Sequence, residues 1–286
     1  MNDFLLIQPR QEAISGQPIL RPLPSAKCRS VGPFVFFDHI LENIYPAGSG
    51  MNINQHPHIG LSTLTYLFEG QLQHKDSLGS DQLVGPGEVS WMTAGKAVAH
   101  VERTPPALQQ SGSRMHGLQV WLAMPAADEQ GEPSYSHHPA SSLPRSASMG
   151  VEICLIAGTG FCLQSPVPVL SPTVYAEIKL AAGSALQIPA EHAERALYLI
   201  DGEARLDEQD LPLRGLLVLP EGETYTLSAC SESHLLLIGG EPIGPRRINW
   251  NFVASDQTLI DQARQRWAAQ DWPTVAGETA RIELPR

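Results

Sequence analysis

Thr65-Tyr66-Leu67-Phe68-Glu69-Gly70-Gln71-Leu72 is echoed far downstream by Leu197-Tyr198-Leu199-Ile200-Asp201-Gly202-Glu203-Ala204. Each copy is a short run of apolar and aromatic residues that ends in an acidic residue followed by glycine. That is the pattern of a β-strand running into a tight turn. A second echo links Ser90-Trp91-Met92-Thr93-Ala94-Gly95-Lys96 to Leu217-Val218-Leu219-Pro220-Glu221-Gly222-Glu223. Two copies of a strand-and-turn unit indicate a duplicated domain, whereas a solenoid stacks at least three.

The same texture extends outward from these segments. Twenty-four glycines and 24 prolines punctuate short apolar runs, as in sandwiches and barrels. Strands are predicted over 61–68, 71–75, 89–92, 97–103 and 116–124, with a turn at 76–81. Ser, Pro and Ala dominate 126–148, which reads as a linker or extended crossover. Near the C-terminus, Leu259, Ile260, Ala263 and Trp267 recur at helical spacing. They predict a helix over 256–269, with Ser255 as its N-cap and Asp271 just past its end. The resulting organisation is an N-terminal barrel at 1–130, a linker at 131–149, a C-terminal barrel at 150–245, and a helix-bearing tail at 246–286.

Composition narrows the function classes. A chain of 286 residues with 42% hydrophobic content is long enough for two cores. Its net charge of −11, with 19 Lys and Arg in no cluster, argues against direct nucleic-acid binding. No apolar run reaches the roughly 18 residues of a membrane span, and Met1-Asn2-Asp3-Phe4 does not open a signal peptide. Cys28, Cys154, Cys162 and Cys230 are scattered, which suits reduced thiols in a cytoplasmic protein.

Two short motifs carry chemistry: His56-Pro57-His58 and His100-Val101-Glu102. On a strand, residues i and i+2 point to one face. If the two strands lie side by side, three imidazoles and a carboxylate converge, a donor set suited to one first-row divalent metal. His74 and Asp76, also two apart, offer a second ligand pair, but read better as hydrogen-bonded turn residues that support such a site. His116 reads as a pocket-mouth or surface residue, and His137-His138 as solvated linker residues. Phe34, Phe36, Phe37, Trp91, Met92 and Trp121 divide between core and an aromatic-lined cleft, with core favoured.

The ordered set of motifs resembles the pirin family. It comprises Val31-Gly-Pro-Phe-Val-Phe-Phe-Asp, His56-Pro-His-Ile-Gly, Thr65-Tyr-Leu-Phe-Glu-Gly, His74-Lys-Asp-Ser-Leu-Gly, Trp91-Met-Thr-Ala-Gly, His100-Val-Glu, Gly117-Leu-Gln-Val-Trp and Gly239-Gly-Glu-Pro-Ile-Gly. The resemblance spans most of 24–250. It implies an all-β bicupin, two tandem cupin-type barrels with a short C-terminal helix, and one metal in the N-terminal barrel. His56, His58, His100 and Glu102 are the implied ligands. Iron(II) is the usual metal; Mn, Ni, Cu and Zn suit the same donors. The implied activity is that of a quercetin 2,3-dioxygenase, which uses O2 to cleave a flavonol-like or other enolisable aromatic substrate, with Glu102 as proton acceptor. The alternative is a metal- or redox-dependent regulator that binds a protein partner. Ile59, Leu61, Ser62 and Ala97 depart from the family pattern and alter the expected surroundings of the site. In the second repeat, aligning Tyr66 with Tyr198 and Gly95 with Gly222 puts Ile188, Ala190, Leu227 and Ala229 at the four ligand positions. His192 stands nearby without partners, so the C-terminal barrel is expected to be metal-free.

Overall fold

The computed structural model describes residues 4–285. The protein is mostly β. Its chain forms two compact units. One comprises Gln11–Leu20, Phe37–Ala140 and the chain from Gly244 onward. The other comprises the chain up to Arg10, Arg21–Phe36 and Ser141–Ile243. This grouping interleaves segments that the linear division at 130, 149 and 245 keeps apart. In the second unit, Leu5–Ile7 adds an antiparallel strand to Leu216–Leu219. In the first, the C-terminal tail covers a sheet.

In the first unit, Asn52–His58, Val98–Arg103, Leu72–Asp76 and Asp81–Val84 form a four-stranded sheet in that order. Ser134–His138, Val89–Thr93, Leu61–Glu69 and Ser113–Ala123 lie side by side in a seven-stranded sheet. Ile40, Leu67, Leu72 and Met115 belong to one buried cluster that draws on strands of both sheets. The second unit repeats the scheme around Ile178, Leu197, Leu206, Leu217, Leu227 and Leu235.

The echo that opened the sequence reading is preserved in strand register. Thr65 lies opposite Ser90, and its counterpart Leu197 lies opposite Leu217, the counterpart of Ser90. Gly70 and Gly202, at matching positions, have φ of 90° and 89°. A Cβ at either would sit 2.2 Å from a carbonyl oxygen, that of Arg114 or of Glu232. Only glycine fits both demands.

The 131–149 stretch contains two strands. Ser134–His138 pairs with Val89–Thr93, and Arg145–Ser148 pairs with Val151–Gly160. Both are edge strands, which tolerate the polar composition that suggested a linker. A short helix, Pro106–Ser111, was also not foreseen.

The C-terminal helix spans Gln257–Ala268. Its N-cap is Asp256, whose carboxylate accepts from Thr258 N at 2.7 Å, and not Ser255. Ser255 instead donates its N–H and hydroxyl to Glu129. The helix buries Ile260, Ala263 and Trp267 in a cluster with Ile59, Ala97, Ala99, Val101, Phe252 and Trp272. Val98–Arg103 alternates, so Ala99 and Val101 face this cover while His100 and Glu102 face the opposite side. Ile59 and Ala97 therefore pack under the tail and do not set the charge of the pocket. All four cysteines are free thiols. No helix among the described residues is long and apolar enough to cross a membrane.

Candidate metal centre

Strand register gathers the chemistry. His100 lies opposite His56 on one neighbouring strand and opposite Asp76 on the other. Val98 lies opposite His58, and Glu102 opposite His74. Directly opposed residues share a face, so His56, His58, His74, Asp76, His100 and Glu102 all face the same side. Between His100 and Glu102 the register slips, so that Glu102 faces Ile53. Such a bulge re-aims the side chains around it.

His56, His58 and His100 place their ligating nitrogens within 4.8 Å of one another. The Nε2 atoms of His58 and His100 are 3.1 Å apart, and the His56 and His100 ring centroids 4.2 Å. The donor set fits a metal ion. Two imidazole nitrogens each about 2.0–2.1 Å from one ion, roughly at a right angle, stand about 3 Å apart. His56 Nδ1 donates to the Asn54 carbonyl at 2.8 Å, which leaves its Nε2 lone pair free. Burial pushes the His56 imidazolium down to about 4 and holds His58 and His100 well below the ordinary value, with neighbouring imidazoles adding to the shift. The three rings are therefore neutral, the form that ligates.

Glu102 stands apart from this trio. It is buried, and its carboxylate lies 3.3 Å from Thr65 Oγ1. Burial raises its pKa; His74 and the Thr65 hydroxyl pull the other way. Thr65 Oγ1 is also 2.6 Å from Gln119 Oε1, so its single hydrogen serves one acceptor at a time. Sequence reading missed Thr65 and Gln119 because Thr65 meets Glu102 across two sheets, and Gln119 meets Thr65 only through strand register. It also missed Tyr135, whose ring stacks on His74 at 4.4 Å and 15°, because that segment read as linker.

His74 and Asp76 are buried and in contact with each other at 3.1 Å. Trp121 meets His58 edge-on with ring centroids 5.3 Å apart; Phe34, Phe36, Phe37, Trp91 and Met92 are buried core residues. His116 pairs with His39, Nε2 to Nε2, at 2.9 Å. His137 and His138 are half-buried strand residues bonded to Glu88 and Ser136, so the solvated-linker reading of them does not hold. Ser62, one of the departures from the family pattern, is buried against Thr93 Oγ1, which also accepts from the Trp91 indole.

In the second unit the strand register corrects the sequence alignment by two residues. Leu206 lies opposite Leu227 as His74 lies opposite Glu102, and Ile188 opposite Tyr225 as His56 opposite His100. Tyr225 and Leu227, and not Leu227 and Ala229, thus occupy the His100 and Glu102 positions, within an apolar core. His192 contacts the Thr159 carbonyl.

The family described as Pirin matches residues 16–122, and the Pirin C-terminal cupin domain matches residues 175–273. A pirin-like protein of Caulobacter vibrioides is 41% identical over 268 residues, 93% of each chain. The crystal structure of a quercetin 2,3-dioxygenase from Acinetobacter baumannii superposes with a TM-score of 0.92 at 33% identity, covering 99% of this chain and 95% of that one. A bacterial pirin from Escherichia coli, crystallised with nickel(II), shares the fold at 18% identity and a TM-score of 0.66, covering 84% of this chain and 99% of that one.

Proposed function

This chain belongs to the pirin family, and from that premise we propose that it is an O2-dependent dioxygenase of the quercetin 2,3-dioxygenase type. The observation that carries the proposal is the trio of buried, neutral imidazoles whose ligating nitrogens converge within 4.8 Å. His56, His58 and His100 would hold one divalent metal, iron(II) in the working enzyme, with Glu102 as the fourth ligand when its carboxylate swings inward from Thr65. When bound, the metal supplies Lewis acidity toward a deprotonated substrate oxygen and the redox capacity that reaction with O2 requires.

The rest of the chemistry falls to the chain itself. The substrate is an aromatic enol such as a flavonol, whose acidic hydroxyl must lose its proton. Glu102 would take it. Burial raises the affinity of Glu102 for a proton, which makes it a better base than an exposed glutamate once ionised. Thr65 orients the Glu102 carboxylate through its hydroxyl. Trp121, edge-on to His58, supplies an apolar wall beside the trio.

Protein stripped of metal, reloaded anaerobically with iron(II) and mixed with quercetin is expected to consume O2 only in the loaded state. His100→Ala should abolish both metal uptake and O2 consumption. Full metal loading without O2 uptake across quercetin and a panel of simpler enols would overturn the enzymatic reading.

A further inference from the structure

The trio is tied to a hairpin turn by a short chain of contacts. His100 Nδ1 lies 3.4 Å from His74 Nδ1. His74 Nε2 lies 3.1 Å from Asp76 Oδ2. Asp76 Oδ1 in turn accepts from the backbone N–H groups of Leu78 and Ser80 at 2.9 and 3.0 Å. Both His74 and Asp76 are buried, and Tyr135 stacks flat on the His74 ring.

We propose that Asp76 and His74 are positioning residues that fix the tautomer and orientation of His100, so that its Nε2 lone pair is presented to a metal. The inference rests on the metal-site reading above. The direction of each hydrogen follows from the ends of the chain. Two backbone donors occupy Oδ1, and an ionised carboxylate has no hydrogen to give, so His74 Nε2 is the donor to Oδ2. His74 is taken as neutral, so that with Nε2 protonated it has only a lone pair at Nδ1. His100 must then carry its hydrogen on Nδ1 to make the 3.4 Å contact, which leaves Nε2 bare. That is the nitrogen facing His58 at 3.1 Å. A ligating histidine whose other nitrogen is held in this way is the arrangement that second partners of metal sites provide.

Asp76→Asn tests the logic because it reverses the chain without removing it. The Leu78 and Ser80 N–H groups hold the amide oxygen on their side, so the Asn NH2 faces His74. His74 must then accept at Nε2 and donate from Nδ1, which forces His100 to accept at Nδ1 and carry its hydrogen on Nε2. In metal-free protein, 15N chemical shifts of His100 should change from the Nδ1–H to the Nε2–H tautomer. Nickel(II) affinity should fall about 10–100-fold, the usual cost of losing such a partner. His74→Gln, whose amide can accept from His100 and donate to Asp76, should keep the Nδ1–H form and bind nickel within a few-fold of the native protein. His74→Phe keeps the ring against Tyr135 but removes the acceptor, and should leave His100 in mixed tautomers; it decides the matter if the Asn variant does not fold. An unchanged His100 tautomer in Asp76→Asn, or in His74→Phe where the Asn variant does not fold, overturns the inference. Native protein that takes up no nickel refutes the metal site, while the metal-free spectra still decide whether the relay sets the tautomer.

Discussion

Trp267 offers the sharpest test of how the tail supports the histidine-bearing sheet. It is fully buried among Ile59, Ala97, Ala99, Val101, Phe252 and Trp272. Its indole N–H donates to the Ile282 carbonyl at 3.0 Å, and the Arg281 guanidinium sits 4.2 Å from its ring centroid. Truncation to alanine removes the ring's packing and leaves a cavity, worth about 3–5 kcal/mol for a buried tryptophan. The stranded Ile282 carbonyl adds about 1 kcal/mol at most, since the tail can rehydrate it. The expected loss is about 3–6 kcal/mol. With a urea m-value of about 2.5 kcal/mol/M, the midpoint falls by roughly 1.2–2.4 M, followed by far-UV circular dichroism so that the lost fluorophore does not matter. Trp267→Phe keeps most of the packing and loses the N–H donor, so it should cost no more than about 2 kcal/mol. Val101 and Ala99 alternate with His100 and Glu102, so the alanine variant should also bind metal more weakly. A loss below about 1 kcal/mol for Trp267→Ala, or equal losses for the two variants, would refute the view that the tail is the apolar cover of this sheet.

Further expectations follow from the same geometry. Glu102→Gln should lower turnover about 10²–10⁴-fold, the typical contribution of a positioned base, while elemental analysis finds most of the metal retained; intact turnover would remove the base assignment. Native protein should carry one metal ion per chain, and the double variant His56→Ala/His58→Ala none, since Ile188, Tyr225 and Leu227 offer the second unit no comparable donors; residual stoichiometric metal in the double variant would contradict this. Gly60→Ala should destabilise by at least about 1–2 kcal/mol in thermal unfolding, because φ at Gly60 is 65° and a Cβ there would lie 2.0 Å from the Val253 carbonyl oxygen. An unchanged melting temperature would mean that the 59–60 turn does not dock on the tail in this way.

Much of the site was legible because its signals are local. His56 and His58, and His100 and Glu102, are two apart on strands, and that spacing survives any tertiary arrangement. Each residue that was misread depends on a partner distant in sequence. Tyr135 and His137 sit on an edge strand whose polar composition imitates a linker until Val89–Thr93 is seen beside it. Asp256 rather than Ser255 caps the helix because Glu129 claims Ser255. The second repeat was aligned two residues out of step after Gly222, since glycine turns match in kind without revealing loop length.

The amino-acid order by itself determined the duplication, the β class and the i, i+2 spacings of His56 with His58 and of His100 with Glu102. These are properties of pattern, written in neighbouring residues. Only the tertiary structure decided that three imidazoles converge while Glu102 rests on Thr65, that Asp76 reaches His100 through His74, and that a C-terminal helix covers the outer face of the histidine-bearing sheet. Those outcomes turn on strand register and on one bulge. A slip of a single residue would turn every side chain of a strand to the opposite face, and register is set by pairing between segments that lie far apart along the chain.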